Sequence, residues 1–285
     1  MAVNNSLSKT NQKVGITAFL NSAKVLENVE QALGKADKQR FITGVISAVT
    51  TNPQLQECTN KSILAGSLLG ESLKLSPSPQ LAHYYLVPFN DKTQGKVAQF
   101  VLGYKGYIQL AIRSGQYKKL NVIAVKEGEL EYFDPLNEDI KINMMVNKWD
   151  ERESKETIGY YAFFELTNGF RKAMYWSKAQ MESHALKYSA GYKAKKGYTF
   201  WEKNFDGMAF KTLLRQLISK WGIMSTELQT AFVNDMTFTD DSGKVQYGEI
   251  DDNIIEAEVI IEQTQEEKTE DSVNKTDAAS ALFGK

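Results

Sequence analysis

The segment NFDGMAFKTLLRQLISKWG, residues 204–222, limits the possible folds of this chain more than any other stretch. Phe210, Leu213, Leu214, Leu217, Ile218 and Trp221 recur at i, i+3, i+4 and i+7, which predicts a helix with one apolar face. A face this greasy must lie against a core. Lys203, Gly207, Lys211 and Arg215 step by four and make a second stripe, aimed either at water or at a partner. Glycine inside a helix costs about 1 kcal/mol relative to alanine, so Gly207 suggests close approach by a backbone or a ligand. Thr212 and Ser219 flank the stripe with hydroxyls suited to phosphate oxygens.

The same design occurs earlier, in YKGYIQLAIRSG. Lys105, Gln109 and Arg113 step by four, Ile108, Ala111 and Ile112 can pack inward, and Tyr104 and Tyr107 stand beside the stripe. Lys118 and Lys119 follow. The net charge of −1 hides two opposed regions: residues 240–285 hold thirteen acidic and four basic residues, leaving +8 for the rest. Arg171–Trp221 alone has eleven Lys/Arg against three acidic residues. Cations every four residues are also what a solvated helix face looks like. Against that stand the local charge excess, the lack of Asp or Glu within either stripe, and the presence of Gly, Thr and Gln. These features favour a groove that follows a phosphate backbone, with rings at its side able to stack on single-strand bases.

Along the chain, helices are expected at 25–34, 37–52 and 60–76, ended by SPSP at 76–79. Strands are expected at 81–89 and 96–104, then at 120–128, 129–133, 157–166 and 170–176, with a short helix at 105–115 between them. Helices resume at 177–189 and at the opening segment, and 137–156 carries no assignment. Helices first, a mostly antiparallel sheet in the middle and helices again argue for an α+β domain over 21–239, with helices packed on the sheet to form the groove. Residues 1–20 read as a flexible N-terminus. Residues 240–285 read as an acidic, largely disordered tail with one possible ordered patch at IIEAEVII.

Several chemistries lack the residues they need. One cysteine, Cys58, and two histidines, His83 and His184, leave little for a zinc site or a nucleophilic triad. No G-x-x-x-x-G-K-[ST] loop occurs, and Gly66 and Gly70 read as helix-packing residues. The polar N-terminus lacks a signal-peptide core and no stretch reaches transmembrane length, so a cytoplasmic protein is expected. The enzyme alternative is a Mg²⁺-dependent nuclease at FDPLNEDIK, using Asp134, Glu138, Asp139 and Lys141, although the Asp-Pro order and common spacing favour a solvated loop.

Three motifs, YYLVPF, LGYKGYIQLAIRSGQYKKLNVIAV and WEKNFDGMAFKTLLRQLISKW, resemble the RecT family of phage and prophage recombinases over residues from about 40 to 230. The resemblance implies an ATP-independent single-strand DNA-binding and annealing protein of homologous recombination, acting in the cytoplasm of a bacterial host, with no catalytic residues. It also implies homo-oligomeric rings or helical filaments, an annealed duplex intermediate, a 5′-to-3′ exonuclease partner and contact with the host single-strand binding protein. No cofactor is expected, with Mg²⁺ a modulator of DNA binding at most. Tyr104, Lys105, Gln109, Arg113, Lys203, Lys211, Thr212 and Arg215 match the family motifs and, with Lys118 and Lys119, are the expected DNA contacts.

Overall fold

Apolar residues at helical spacing make the first third of the chain helical. The computed structural model describes residues 14–197, 199–239 and 244–247. Helices α1 (Ile16–Leu20), α2 (Ala23–Leu33), α3 (Lys35–Thr51) and α4 (Asn60–Ser72) turn Leu20, Val25, Val29, Phe41, Val45 and Ile63 inward. Thr59 starts α4, its hydroxyl accepting from the Ser62 N–H. The segment expected to be flexible up to residue 20 is therefore helical from Ile16, because Leu20 is fully buried and Ile16 and Phe19 pack on the core.

Strands β1 (Tyr84–Asp91) and β2 (Gly95–Leu102) form a hairpin in register from Tyr84↔Leu102 to Asp91↔Gly95. Its turn is closed by Asp91, whose carboxylate accepts from the Thr93 and Gln94 N–H groups. Helix α4 lies on this hairpin at van der Waals range. A Cβ at Gly70 would sit 2.3 Å from the Tyr84 ring, which is why the α4 glycines are packing residues and no phosphate loop.

The chain continues through α5 (Tyr104–Arg113), β3 (Tyr117–Lys126), β4 (Leu130–Asp134), β5 (Asp139–Ile142), α6 (Trp149–Ser154), β6 (Thr157–Leu166) and β7 (Arg171–Ser177). Helices α7 (Lys178–Tyr188), α8 (Ala190–Lys193), α9 (Phe200–Lys203), α10 (Phe205–Trp221) and α11 (Thr226–Asn234) follow, then β8 (Thr237–Thr239) and β9 (Val245–Tyr247). The architecture is α+β and its strand pairs are antiparallel, but the strands divide into sheets β1-β2-β8-β9 and β3-β6-β7 and the hairpin β4-β5. Strand β9 extends the first sheet beyond the expected boundary at residue 239. Residues 248–285, most of the expected tail, lie outside the described residues.

Within 137–156 the order comes from a partner distant in sequence. The buried Glu129 carboxylate accepts from the Lys126 N–H (2.8 Å), the Met145 N–H (3.2 Å) and Arg152 Nε (2.7 Å), tying α6 to the β3–β4 turn. Helix α10 takes the central place. It touches β3, β6 and β7 on one side and α5 on the other, so its surface is covered on two faces. Leu213, Leu214, Leu217 and Ile218 are fully buried there, each contributing about 1.5–3 kcal/mol of apolar burial. Among the described residues no helix is long and apolar enough to cross a membrane.

Candidate nucleic-acid interface

Two helix starts meet across one tyrosine. At the N-cap of α5, a Cβ on Gly103 would lie 2.3 Å from the Ala82 carbonyl oxygen and 3.2 Å from Tyr85 Cε2, so the helix can begin there only with glycine. The Tyr85 ring also meets Phe200 of α9, with centroids 5.5 Å apart. Helix α9 begins in a capping box: the Glu202 N–H donates to Thr199 Oγ1, and the Glu202 carboxylate accepts from the Thr199 N–H. Asn204 ends α9 and caps α10, its Oδ1 accepting from the Gly207 N–H at 3.0 Å. Gly207 thus answers to its own cap: a Cβ there would lie 2.6 Å from Asn204 Nδ2.

This arrangement brings aromatic rings and cations to one region. Phe200 is 37% exposed, and Tyr104 stands edge-on to Phe210 at 5.5 Å. Lys105 in the first turn of α5 and Lys203 at the end of α9 are exposed, with no ion-pair partner among the described residues. Gln109 is exposed as well. Lys193, Lys195 and Lys196, in and after α8, add further exposed positive charge. Burial pushes the Tyr85 hydroxyl up, so this ring presents a neutral phenol across the physiological range.

The α10 ladder lies elsewhere than its spacing predicts. Lys211 is 4% exposed and Thr212 8%, both facing inward. The cause is Asp235, fully buried at the α11–β8 junction. Its Oδ1 accepts from Lys211 Nζ (2.9 Å) and from the Leu102 N–H (2.8 Å). Its Oδ2 accepts from Arg215 Nη1 (2.9 Å) and from the Tyr107 hydroxyl (2.9 Å), while Arg215 Nη1 also donates to Tyr107 Oη (3.0 Å). Burial alone would raise the Asp235 carboxyl, but the charges of Lys211 and Arg215 outweigh it and hold the group below the usual carboxylate range. Burial also raises the Tyr107 hydroxyl well above its ordinary value, against the pull of Arg215. The stripe of unpaired cations expected on α10 is therefore corrected: its two inner members are neutralised from a distant part of the chain. Trp221, expected on the buried face, is 37% exposed instead, with Lys172 Nζ 4.2 Å above its ring.

The second ladder divides. Arg113 turns to the end of α4, donating to the Leu73 and Lys74 carbonyls (2.5 and 3.1 Å), where a cation complements the helix C-terminus. Ile112, expected inside, is 56% exposed. Lys118 meets Glu165 Oε1 at 2.7 Å, and Lys119 and Arg171 approach Oε2 at 3.8 and 3.0 Å. The hydrogen bond from Lys118 and the charges around it lower the Glu165 carboxyl. Tyr107, expected as a ring beside the groove, is fully buried, and Arg171 and Asp235 were not among the expected contacts. Asp235 alone had a signal, as an acid inside the apolar run AFVNDMTF.

Three of the four residues of the nuclease alternative are engaged in local structure, and the fourth, Asp139, opens β5. The Asp134 carboxylate accepts from the Leu136 and Asn137 N–H groups and caps the β4–β5 turn. Glu138 pairs with Lys172, and Lys141 with Glu131. Among the described residues no three or more His, Cys, Asp or Glu side chains gather in a group that could hold a metal ion. His83 Nδ1 accepts from the Ser76 N–H, and His184 packs between Trp176 and Tyr188.

Residues 39–249 match the RecT family. An uncharacterized protein of Bacillus subtilis, YqaK, is 41% identical over 79% of this chain and 74% of its own length. Protein RecT of Escherichia coli is 29% identical over 76% of this chain and 78% of its own length.

Proposed function

This chain belongs to the RecT family, and from that premise we propose that it coats one DNA strand and pairs it with a complementary strand without nucleotide hydrolysis. Membership supports a role in recombination and single-strand DNA annealing. The observation that carries the finer reading is the junction at Tyr85, where the exposed Lys105 and Lys203 flank a group of rings that includes Phe200 and Tyr104.

Chemistry supplies the rest. Lysines neutralise phosphates and release counterions, so affinity falls steeply with salt. Contacts to the backbone carry no sequence information, which leaves base edges to the incoming strand. Rings of the Phe200 and Tyr104 kind stack on any base. With both backbones partly neutralised, strand repulsion falls and base pairing provides the free energy. Oligomerisation along the strand multiplies weak sites through effective concentration. In this reading a 5′-to-3′ exonuclease produces the single strand, and the host single-strand binding protein is a partner that this protein contacts. No cofactor is required, and Mg²⁺ modulates DNA binding.

The test is pairing of complementary oligonucleotides by purified protein without ATP, together with an end-labelled strand held in Mg²⁺. Faster pairing and intact DNA are expected. Coating without faster pairing would indicate a passive single-strand protector, and shortened DNA would restore the nuclease reading.

A further inference from the structure

Asp235 joins the end of β2, α5 and α10, the elements that run into the proposed DNA face. Its carboxylate receives four donors within 2.9 Å, from the end of β2, from α5 and twice from α10. The Leu102 N–H it holds lies one residue before the N-cap of α5, three before Lys105. The Lys211 and Arg215 it holds lie on the helix that follows Lys203. The backbone is bent to deliver it. Met236, the next residue, has φ 64°, a left-handed conformation uncommon outside glycine and asparagine. That turn is fixed by the Met236 N–H on the Phe100 carbonyl (2.8 Å) and by Gln99 Nε2 on the Met236 carbonyl (2.5 Å). Strain held in place by its surroundings beside a saturated buried carboxylate is a common mark of a functional constraint.

We propose that Asp235 is a positioning residue for nucleic-acid binding: by clasping the start of α5 to the middle of α10, it sets the spacing of the cations at Lys105 and Lys203. Lys211 and Arg215 serve this clasp and do not carry the phosphates themselves. The inference rests on the reading of the Tyr85 junction as the DNA face, and it adds a residue outside the expected contacts.

A merely stabilising residue and a positioning residue differ in coupling. Binding of oligothymidylate to the full chain is measured for Lys105→Ala and Lys203→Ala, alone and combined with Asp235→Asn. In the parent each lysine substitution is expected to weaken binding about five-fold, as one phosphate left without its cation does. Beside Asp235→Asn, which keeps the shape and removes the charge, the same substitutions are expected to cost less than about two-fold, because the cations are no longer held in register. Fully additive losses would overturn the inference while leaving the DNA face intact. No loss from either lysine in the parent would remove the DNA face, and the positioning role with it. If Asp235→Asn does not fold, Lys211→Met decides, since it keeps Asp235 and Arg215 as a one-to-one pair. The salt dependence of binding is then expected to match the parent. A slope lower by about 0.7, one phosphate fewer, would place Lys211 on the DNA and refute the clasp.

Discussion

Two carboxylates in this protein each gather more than one cation, with opposite results. At Asp235 everything is sealed: the acid is 0% exposed, Lys211 4% and Arg215 14%. At Glu165 only the acid is sealed, at 3%, while Lys118, Lys119 and Arg171 remain 60–66% exposed. Each of the two carboxylates is paired with more than one cation. Only at Glu165 can those cations reach a phosphate; at Asp235 they reach two helices and a strand end. Charge on a helix face therefore says little about binding until the position of its counter-charge is known.

The largest expected effect tests the sealed node. Asp235→Ala removes the buried carboxylate that both Lys211 and Arg215 meet, which costs about 3–5 kcal/mol of stability. Glu165→Ala lets its three cations return to water and should lower the melting temperature far less. Equal losses in thermal denaturation would erase the distinction between the nodes. The acid limb gives the same test by titration. The Asp235 carboxyl is held below its unfolded value, so its contribution is fully present above the ordinary carboxyl range, near about 3.9. It is lost as pH falls through the lower folded value. Asp235→Asn should remove that part of the acid destabilisation. An unchanged acid profile would show that the pair does not stabilise the fold.

What the sequence conveyed follows from how local each cause is. β6 spans Thr157–Leu166 as predicted, because TIGYYAFFEL is a continuous apolar and aromatic run between turn signals. The packing role of Gly66 and Gly70 was legible too, since nothing in AGSLLGES could hold a phosphate. The α10 ladder misled because its spacing was right and its environment was hidden: Asp235 lies twenty residues past Arg215, and no periodicity joins them. Helix α6 was missed for a related reason, since Glu129 holds it from twenty-three residues away. The Tyr85 junction was half legible. Lys105, Tyr104 and Lys203 are motif residues, whereas the Tyr85–Phe200 contact depends on β1 and α9 meeting.

A smaller effect is expected at the open node. Replacing Lys118, Lys119 and Arg171 together by alanine would strand the sealed Glu165 carboxylate, so the three are combined with Glu165→Gln, and this variant should weaken single-strand binding at low salt. With three fewer phosphates neutralised, the slope of log affinity against log salt should fall by about 2. A slope equal to the parent's would mean that exposed cations around a buried acid do not meet DNA, and the comparison would then separate buried from idle charge only.

The smallest expected effect concerns the acidic segment, and the structure moves the cut that tests it. Ending the chain at 239 would strip β9 from its pairing with β8, next to the turn that delivers Asp235. A cut after Asp252 spares both and removes eight acidic and three basic residues. Charge of that sign competes with phosphate for exposed cations, by an attraction that salt screens within about 10 Å at 0.1 M. Lys211 and Arg215, already sealed against Asp235, cannot feel such competition, whereas Lys105, Lys203 and the Glu165 node can. Truncation is therefore expected to leave oligothymidylate affinity unchanged at high salt and to tighten it modestly at low salt, with the melting temperature constant. The tightening should disappear when Lys118, Lys119 and Arg171 are also replaced, together with Glu165→Gln, if that node is where the acidic segment competes. Loss of DNA binding on truncation, with folding intact, would instead make residues beyond 252 part of the binding surface, and would assign to them a contact that the exposed cations were expected to make.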